Sequence, residues 1–142
     1  MSMAQTGITF DEIQIGQQAS FTKTITETDV VLFAGISGDL NPAHTDEVSA
    51  SASPFGGRIA HGALVASLIS TVLGMRLPGP GTIYLKQESS FLKPVHIGDT
   101  VTATCKVIEK TEKKRVILET VCTNQQGETV ISGQATVLCP RK

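Results

Sequence analysis

The 142-residue chain has no tryptophan, and aromatic residues make up only 4% of it. Proteins that bind single-stranded nucleic acids usually stack the bases on aromatic side chains, so this shortage argues against such a partner. The chain also lacks an excess of charge of one sign, because its formal net charge at pH 7 is −1. We therefore expect neither nucleic acid nor an anionic membrane as a partner.

Cysteine is scarce as well, with three residues, Cys105, Cys122 and Cys139. They form neither a CxxC pair nor the Cys/His spacing of a zinc site, so we expect no metal. An odd number of cysteines in predicted strands favours reduced thiols and a cytoplasmic protein. The first ten residues have no basic segment followed by an apolar run, so we expect no signal peptide. The length predicts a single domain over residues 1–142.

The longest uncharged run, residues 59–75, is shorter than the roughly 18 residues that a membrane span needs. Its apolar residues lie at helical spacing around most of the circumference, and Arg58 and Arg76 flank it. A helix of this kind is normally buried on nearly all sides. We therefore predict a core helix that the rest of the chain covers.

Five segments rich in β-branched residues are predicted to be strands. They are residues 19–26, 82–92, 99–110, 114–124 and 128–139. Short turns join the last four, which predicts an antiparallel meander curled around the core helix, an α+β architecture. Because an open sheet edge tends to pair with another chain, we expect a dimer.

Two further helices are predicted before the core helix. The first covers Val30–Ser37, with residues 26–29 as its N-cap region and Gly38 at its end. The second covers Asp46–Ser51 and is predicted to be capped by Thr45.

The segment GDLNPAHTD, residues 38–46, carries the most suggestive chemistry. Pro42 fixes its own backbone and favours an extended Asn41, so a turn can bring Asp39 and His44 together. A carboxylate beside an imidazole is a general acid–base pair that can hold one water molecule. The same residue types also make ordinary turns, and that structural interpretation stays open here.

A second candidate site lies at His61-Gly62, where the core helix starts. The first N–H groups of a helix have no partner within it and lie at the positive end of its dipole. A substrate oxygen could approach the Gly62 N–H closely, although Gly62 could equally serve packing, with His61 as a polar cap. Ser70, in the middle of the same helix, is in isolation best explained by a bond to a backbone carbonyl.

Three segments, GDLNPAHTD, FGGRIAHGALVASLIS and SFLKPVHIGDTV, resemble the MaoC-like hot-dog family. The chain looks most like its (R)-specific enoyl-CoA hydratases, over residues 15–138. The resemblance implies a hot-dog fold, in which a curved five-stranded antiparallel sheet wraps around a central helix. It implies that Asp39 and His44 are catalytic, that the Gly62 N–H forms the oxyanion hole, that Asn41 shapes the loop, and that Ser70 plays a supporting part.

The activity implied by the resemblance is reversible syn hydration of a short trans-2-enoyl-CoA to the (R)-3-hydroxyacyl-CoA. It needs no cofactor, since coenzyme A is part of the substrate, and the enzyme is expected to be a homodimer or a dimer of dimers. Family roles include polyhydroxyalkanoate supply and fatty acid metabolism. Open alternatives are a (3R)-hydroxyacyl-ACP dehydratase, an acyl-CoA thioesterase and a non-catalytic acyl-CoA-binding module, and which of Asp39 and His44 is the base also stays open.

Overall fold

The computed structural model of the chain describes residues 6–142, and in this range it has four helices and five strands. In chain order they are β1 Gln18–Thr24, α1 Glu27–Ser37, α2 Pro42–Thr45, α3 Glu47–Ser51, α4 Gly62–Met75, β2 Ile83–Phe91, β3 Thr100–Lys110, β4 Val116–Thr123 and β5 Thr129–Leu138. No helix in residues 6–142 is long and apolar enough to cross a membrane. Half of the segment on which the signal-peptide prediction rests, residues 1–5, lies outside the described residues.

The five predicted strands are confirmed, and they form one antiparallel sheet in the order β1-β3-β4-β5-β2. The predicted meander is correct for β3, β4 and β5 but wrong for β2, which pairs with β5 at the sheet edge. Gly133 of β5 permits this pairing, since a Cβ there would lie 1.8 Å from the Glu88 carbonyl oxygen. Residues 92–99 therefore cross from the edge strand to β3 instead of forming a tight turn.

Helix α4 packs on β1, β3 and β4. Its residues Val65, Ile69 and Leu73 are buried, and they recur at the spacing of one helix face. The opposite face is exposed in the single chain and includes Ala63, Ser67 and Ser70. The prediction of a helix covered on nearly all sides is therefore wrong for one chain, because residues 6–142 do not cover this face of small side chains.

The two helices predicted before α4 correspond to α1 and α3, and both start at a different residue from the one predicted. α1 begins at Glu27, three residues early, because the Thr26 hydroxyl accepts from the Asp29 N–H and the Asp29 carboxylate accepts from the Thr26 N–H. α3 is capped by Asp46, whose carboxylate accepts from two backbone N–H groups, and not by Thr45. Thr45 closes α2 instead and donates its hydroxyl to the Leu40 carbonyl.

Candidate active site

The loop after α1 is shaped by two of its own polar side chains. Asp39 Oδ1 accepts from the Asn41 N–H at 3.1 Å, and Asn41 Oδ1 accepts from the Ala43 N–H at 3.0 Å. Pro42 begins α2, a position where its missing N–H leaves nothing unsatisfied. The turn chemistry noted in the sequence is thus present, and it makes His44 the third residue of α2.

The orientation of His44 is set by hydrogen bonds on both sides of the residue. Its Nδ1 lies 2.7 Å from the Ile59 carbonyl oxygen, which can only accept, so Nδ1 carries the proton. Arg58 donates through Nε to the His44 carbonyl at 2.7 Å and pairs with Glu27 of α1. These contacts leave Nε2 of His44 as the ring atom available for proton transfer.

Asp39 and His44 meet a third residue, His61, and one polar side-chain atom of each lies within 4.8 Å of the others. A water molecule that bridges two groups through hydrogen bonds of about 2.8 Å at a tetrahedral angle separates them by roughly 4.6 Å. A separation of at most 4.8 Å is therefore compatible with a pair that holds one water molecule. The two imidazole rings are stacked at 3.9 Å and 28°, so the lone pairs of their nitrogens lie in two nearly parallel planes, an arrangement poorly suited to binding one ion between them.

A cavity of about 420 Å³ adjoins this cluster and has both His44 and Gly62 in its wall. Most of the remaining wall is apolar, including Ile59, Val65 and Ile131, and one charged side chain, Lys93, also lines it. Apolar walls with a few convergent polar groups are typical of sites for small molecules with an apolar part. The cavity can thus hold an acyl chain with its reactive end at His44.

Gly62 is the first residue of α4, and a side chain there would collide with a neighbour. An added Cβ would lie 2.7 Å from Cε1 and 2.8 Å from Cδ1 of Phe91. The glycine therefore lets the Phe91 ring lie close to the helix start, and its N–H sits at the positive end of the helix beside the cavity. The contact of Phe91 with Gly62 could not be predicted from the sequence, because it depends on the edge position of β2.

Two other residues are placed differently from expectation. His61 makes no capping hydrogen bond; it is buried, and its Nε2 lies 3.0 Å from the Asp39 carbonyl oxygen. Ser70 is exposed, lies about 12 Å further along α4 than Gly62, and is not part of the cavity wall. The structure therefore brings together Asp39, His44 and Gly62 but not Ser70.

An antiparallel sheet packed on one long helix, with a carboxylate and an imidazole beside the start of that helix, defines a hot-dog domain with a site suited to acid–base chemistry. The model of the MaoC-like domain family matches residues 11–129. The chain therefore belongs to the MaoC-like family, and the resemblance noted in the sequence is confirmed.

Individual proteins give the same assignment. The chain is 54% identical over 134 residues to an (R)-specific enoyl-CoA hydratase of Rhodospirillum rubrum, covering 94% of this chain and 92% of that protein. It is 45% identical to a 3-hydroxybutyryl-CoA dehydratase of Methylorubrum extorquens, covering 94% and 85%. The solved structure of the R-hydratase PhaJ1 from Pseudomonas aeruginosa superimposes with a TM-score of 0.92 at 43% identity, covering 96% and 88%.

Proposed function

We propose that the protein catalyses the reversible syn hydration of trans-2-enoyl-CoA to (R)-3-hydroxyacyl-CoA. The observation that carries this proposal is the meeting of Asp39 and His44, at a spacing suited to one water molecule, beside the N-terminus of α4. The names of the R. rubrum and M. extorquens relatives support the same reaction.

The mechanism assigns each group a role in one addition step. Asp39 and His44 hold the water molecule, which adds to C3 of the enoyl group while a proton is delivered to C2. As the water adds to C3, negative charge builds up on the thioester oxygen, where the Gly62 N–H and the helix dipole stabilise it until C2 is protonated. Asn41 keeps Asp39 in place, because its own N–H binds the Asp39 carboxylate. The reaction needs no cofactor or metal in this scheme. We propose the cytoplasm as the location of the protein.

We further propose that the substrates are short-chain, because the M. extorquens relative is named for a four-carbon acyl group. The thioester end would lie at Gly62, and the acyl chain would lie against the apolar wall formed by residues such as Val65 and Ile131. Lys93, the charged residue of the wall, would then lie near the polar part of the substrate.

The homodimer expected from the sequence is supported by the edge strand β2. In residues 6–142 β2 pairs with β5 alone, and it carries exposed Ile83, Tyr84 and Leu85. Unpaired edges with large exposed apolar side chains mark interfaces. Since Phe91 of β2 contacts Gly62, a second copy docked on this edge would lie beside the cavity. Ser70, on the exposed face of α4, can take a supporting part only in such a dimer.

The proposal is tested by following the loss of the conjugated-thioester ultraviolet absorbance of crotonyl-CoA. A stereospecific (R)- or (S)-3-hydroxyacyl-CoA dehydrogenase then assigns the product. We expect an (R) product, with activity decreasing from crotonyl-CoA to octenoyl-CoA. An (S) product, or no hydration of any of these thioesters by folded protein, would contradict the proposal. Release of free thiol would indicate a thioesterase, and activity on acyl-ACP alone would indicate the ACP-dependent dehydratase.

A further inference from the structure

His61 is a buried histidine that the mechanism above does not use. Its side chain is 2% exposed and packs between the Phe33 ring of α1, at 4.8 Å, and the His44 ring, at 3.9 Å. Its Nε2 lies 3.0 Å from the Asp39 carbonyl oxygen, and its buried Nδ1 has no hydrogen-bond partner in residues 6–142. His61 therefore touches both members of the acid–base pair.

The two stacked histidines hold their protons on opposite nitrogens. A carbonyl oxygen can only accept, so His44 donates from Nδ1 to Ile59, whereas His61 donates from Nε2 to Asp39. In the neutral rings, His44 therefore presents an unprotonated Nε2 and His61 an unprotonated Nδ1. The hydrogen bond of His61 fixes the backbone of Asp39, and its ring face limits the rotation of the His44 ring.

His61 also immediately precedes Gly62, the first residue of α4. A shift of His61 would therefore change the position of the acid–base pair relative to the Gly62 N–H. A misplacement of about 1 Å between reacting groups can lower a rate by roughly a hundredfold.

We propose that His61 is a positioning residue that couples the Asp39–His44 pair to the Gly62 N–H, an inference that rests on the proposed hydratase function. It acts through Asp39 and His44 and does not itself touch the reacting atoms. Its loss should therefore lower kcat more than it changes KM.

The test compares three variants in the crotonyl-CoA assay. H61Q keeps a donor where Nε2 lies, H61F keeps an aromatic ring without the donor, and H96F is the matched control. His96 likewise lies with Nε2 2.9 Å from a backbone carbonyl, that of Phe55, but it contacts neither Asp39 nor His44. We expect kcat of H61F to fall at least tenfold with KM changed less than threefold, and kcat of H61Q and H96F to stay within threefold of the wild type.

Two outcomes of this comparison would overturn the proposal. One is folded H61F with kcat within threefold of the wild type. The other is an equal fall of kcat in H61Q and H61F, since the hydrogen bond to Asp39 would then be irrelevant. A wild type that does not hydrate crotonyl-CoA would instead refute the proposed function.

A second measurement does not depend on activity or on the folding of any variant at position 61. The chain has three histidines, so long-range ¹H–¹⁵N spectra of the wild-type imidazoles are simple, and H44Q and H96F assign two of them. In the uncharged form of each ring, we expect His44 as the Nδ1–H tautomer and His61 as the Nε2–H tautomer. An Nδ1–H tautomer of His61 would overturn the proposal, because the bond to the Asp39 carbonyl could not then exist.

Discussion

The Gly62 N–H can be deleted with little disturbance of the fold, because Gly62 is the first residue of α4. Proline is well tolerated at this position, and its ring removes the donor while keeping a helical backbone. His61 before it has φ −59° and ψ 134°, within the extended region that proline requires of the preceding residue. G62P is therefore a direct deletion of the proposed oxyanion donor.

Because the Phe91 ring lies close to position 62, the deletion should be made in a variant in which Phe91 is also replaced. Any Cβ at position 62 would lie 2.7 Å from the Phe91 ring, which must retreat by about 0.7 Å to reach ordinary contact distance. Phe91 is 60% exposed in the single chain, and F91L replaces the ring in both variants with a smaller, more flexible side chain that can move aside. G62A/F91L and G62P/F91L then differ mainly in the presence of the N–H.

Loss of one oxyanion donor typically lowers kcat by about 10²–10³, which corresponds to roughly 2.7–4 kcal/mol of transition-state stabilisation. We expect this difference in kcat between G62P/F91L and G62A/F91L in the crotonyl-CoA assay, with KM changed less than about threefold. Thermal unfolding of both variants checks the fold. Equal kcat values in two folded variants would refute the assignment of the Gly62 N–H as the donor.

Two further predictions concern groups outside the site. Removal of the Asp29 carboxylate in D29A should lower the free energy of unfolding by about 1 kcal/mol at pH 7 in urea titrations. The pKa of the Asp29 carboxyl lies below its ordinary value of 3.8, chiefly because Lys23 donates a hydrogen bond to it. The stabilisation is therefore present above pH 4 and should fade as the pH falls below that value. If D29A and the wild type differed as much in free energy of unfolding at pH 3 as at pH 7, this prediction would be contradicted. Burial raises the pKa of Cys105 to about 12 and of Cys122 to about 11, so a thiol reagent at pH 8 should leave both unmodified in native protein. Cys139, which is only partly buried, should react first, and fast modification of all three would contradict the packed core.

Most of the fold could be predicted from the sequence, because the strands and α4 have strong hydrophobic periodicity. The alternation of Val101, Ala103 and Cys105 with polar residues predicts β3 correctly, except that the predicted strand starts one residue too early. The place of β2 could not be predicted, since pairing with β5 depends on the close approach at Gly133, a contact between distant parts of the chain. The open face of α4 was missed for a similar reason, because small residues at helical spacing do not show what covers them.

In the site, local chemistry predicts candidate positions that the structure brings together. Asp39, Asn41 and His44 lie within six residues, and Gly62 starts the most apolar helix, so short-range rules name them as candidates, whereas their catalytic roles are implied by the family resemblance. The alternative in which His61 is a polar cap is wrong, because its side chain makes no capping hydrogen bond and its ring stacks on His44 instead. Such stacking depends on two segments meeting in the fold, and no spacing within the sequence specifies it.

The central claim, that Asp39 and His44 perform the hydration, is tested most directly by kcat of D39N with crotonyl-CoA. Asn keeps an oxygen for the Asn41 N–H and should preserve the loop, and D46N, which alters the cap of α3, is the matched control. We expect kcat of D39N to fall by about a hundredfold or more, that of H44Q to fall similarly, and D46N to retain wild-type kcat. Folded D39N with kcat within threefold of the wild type would contradict the account.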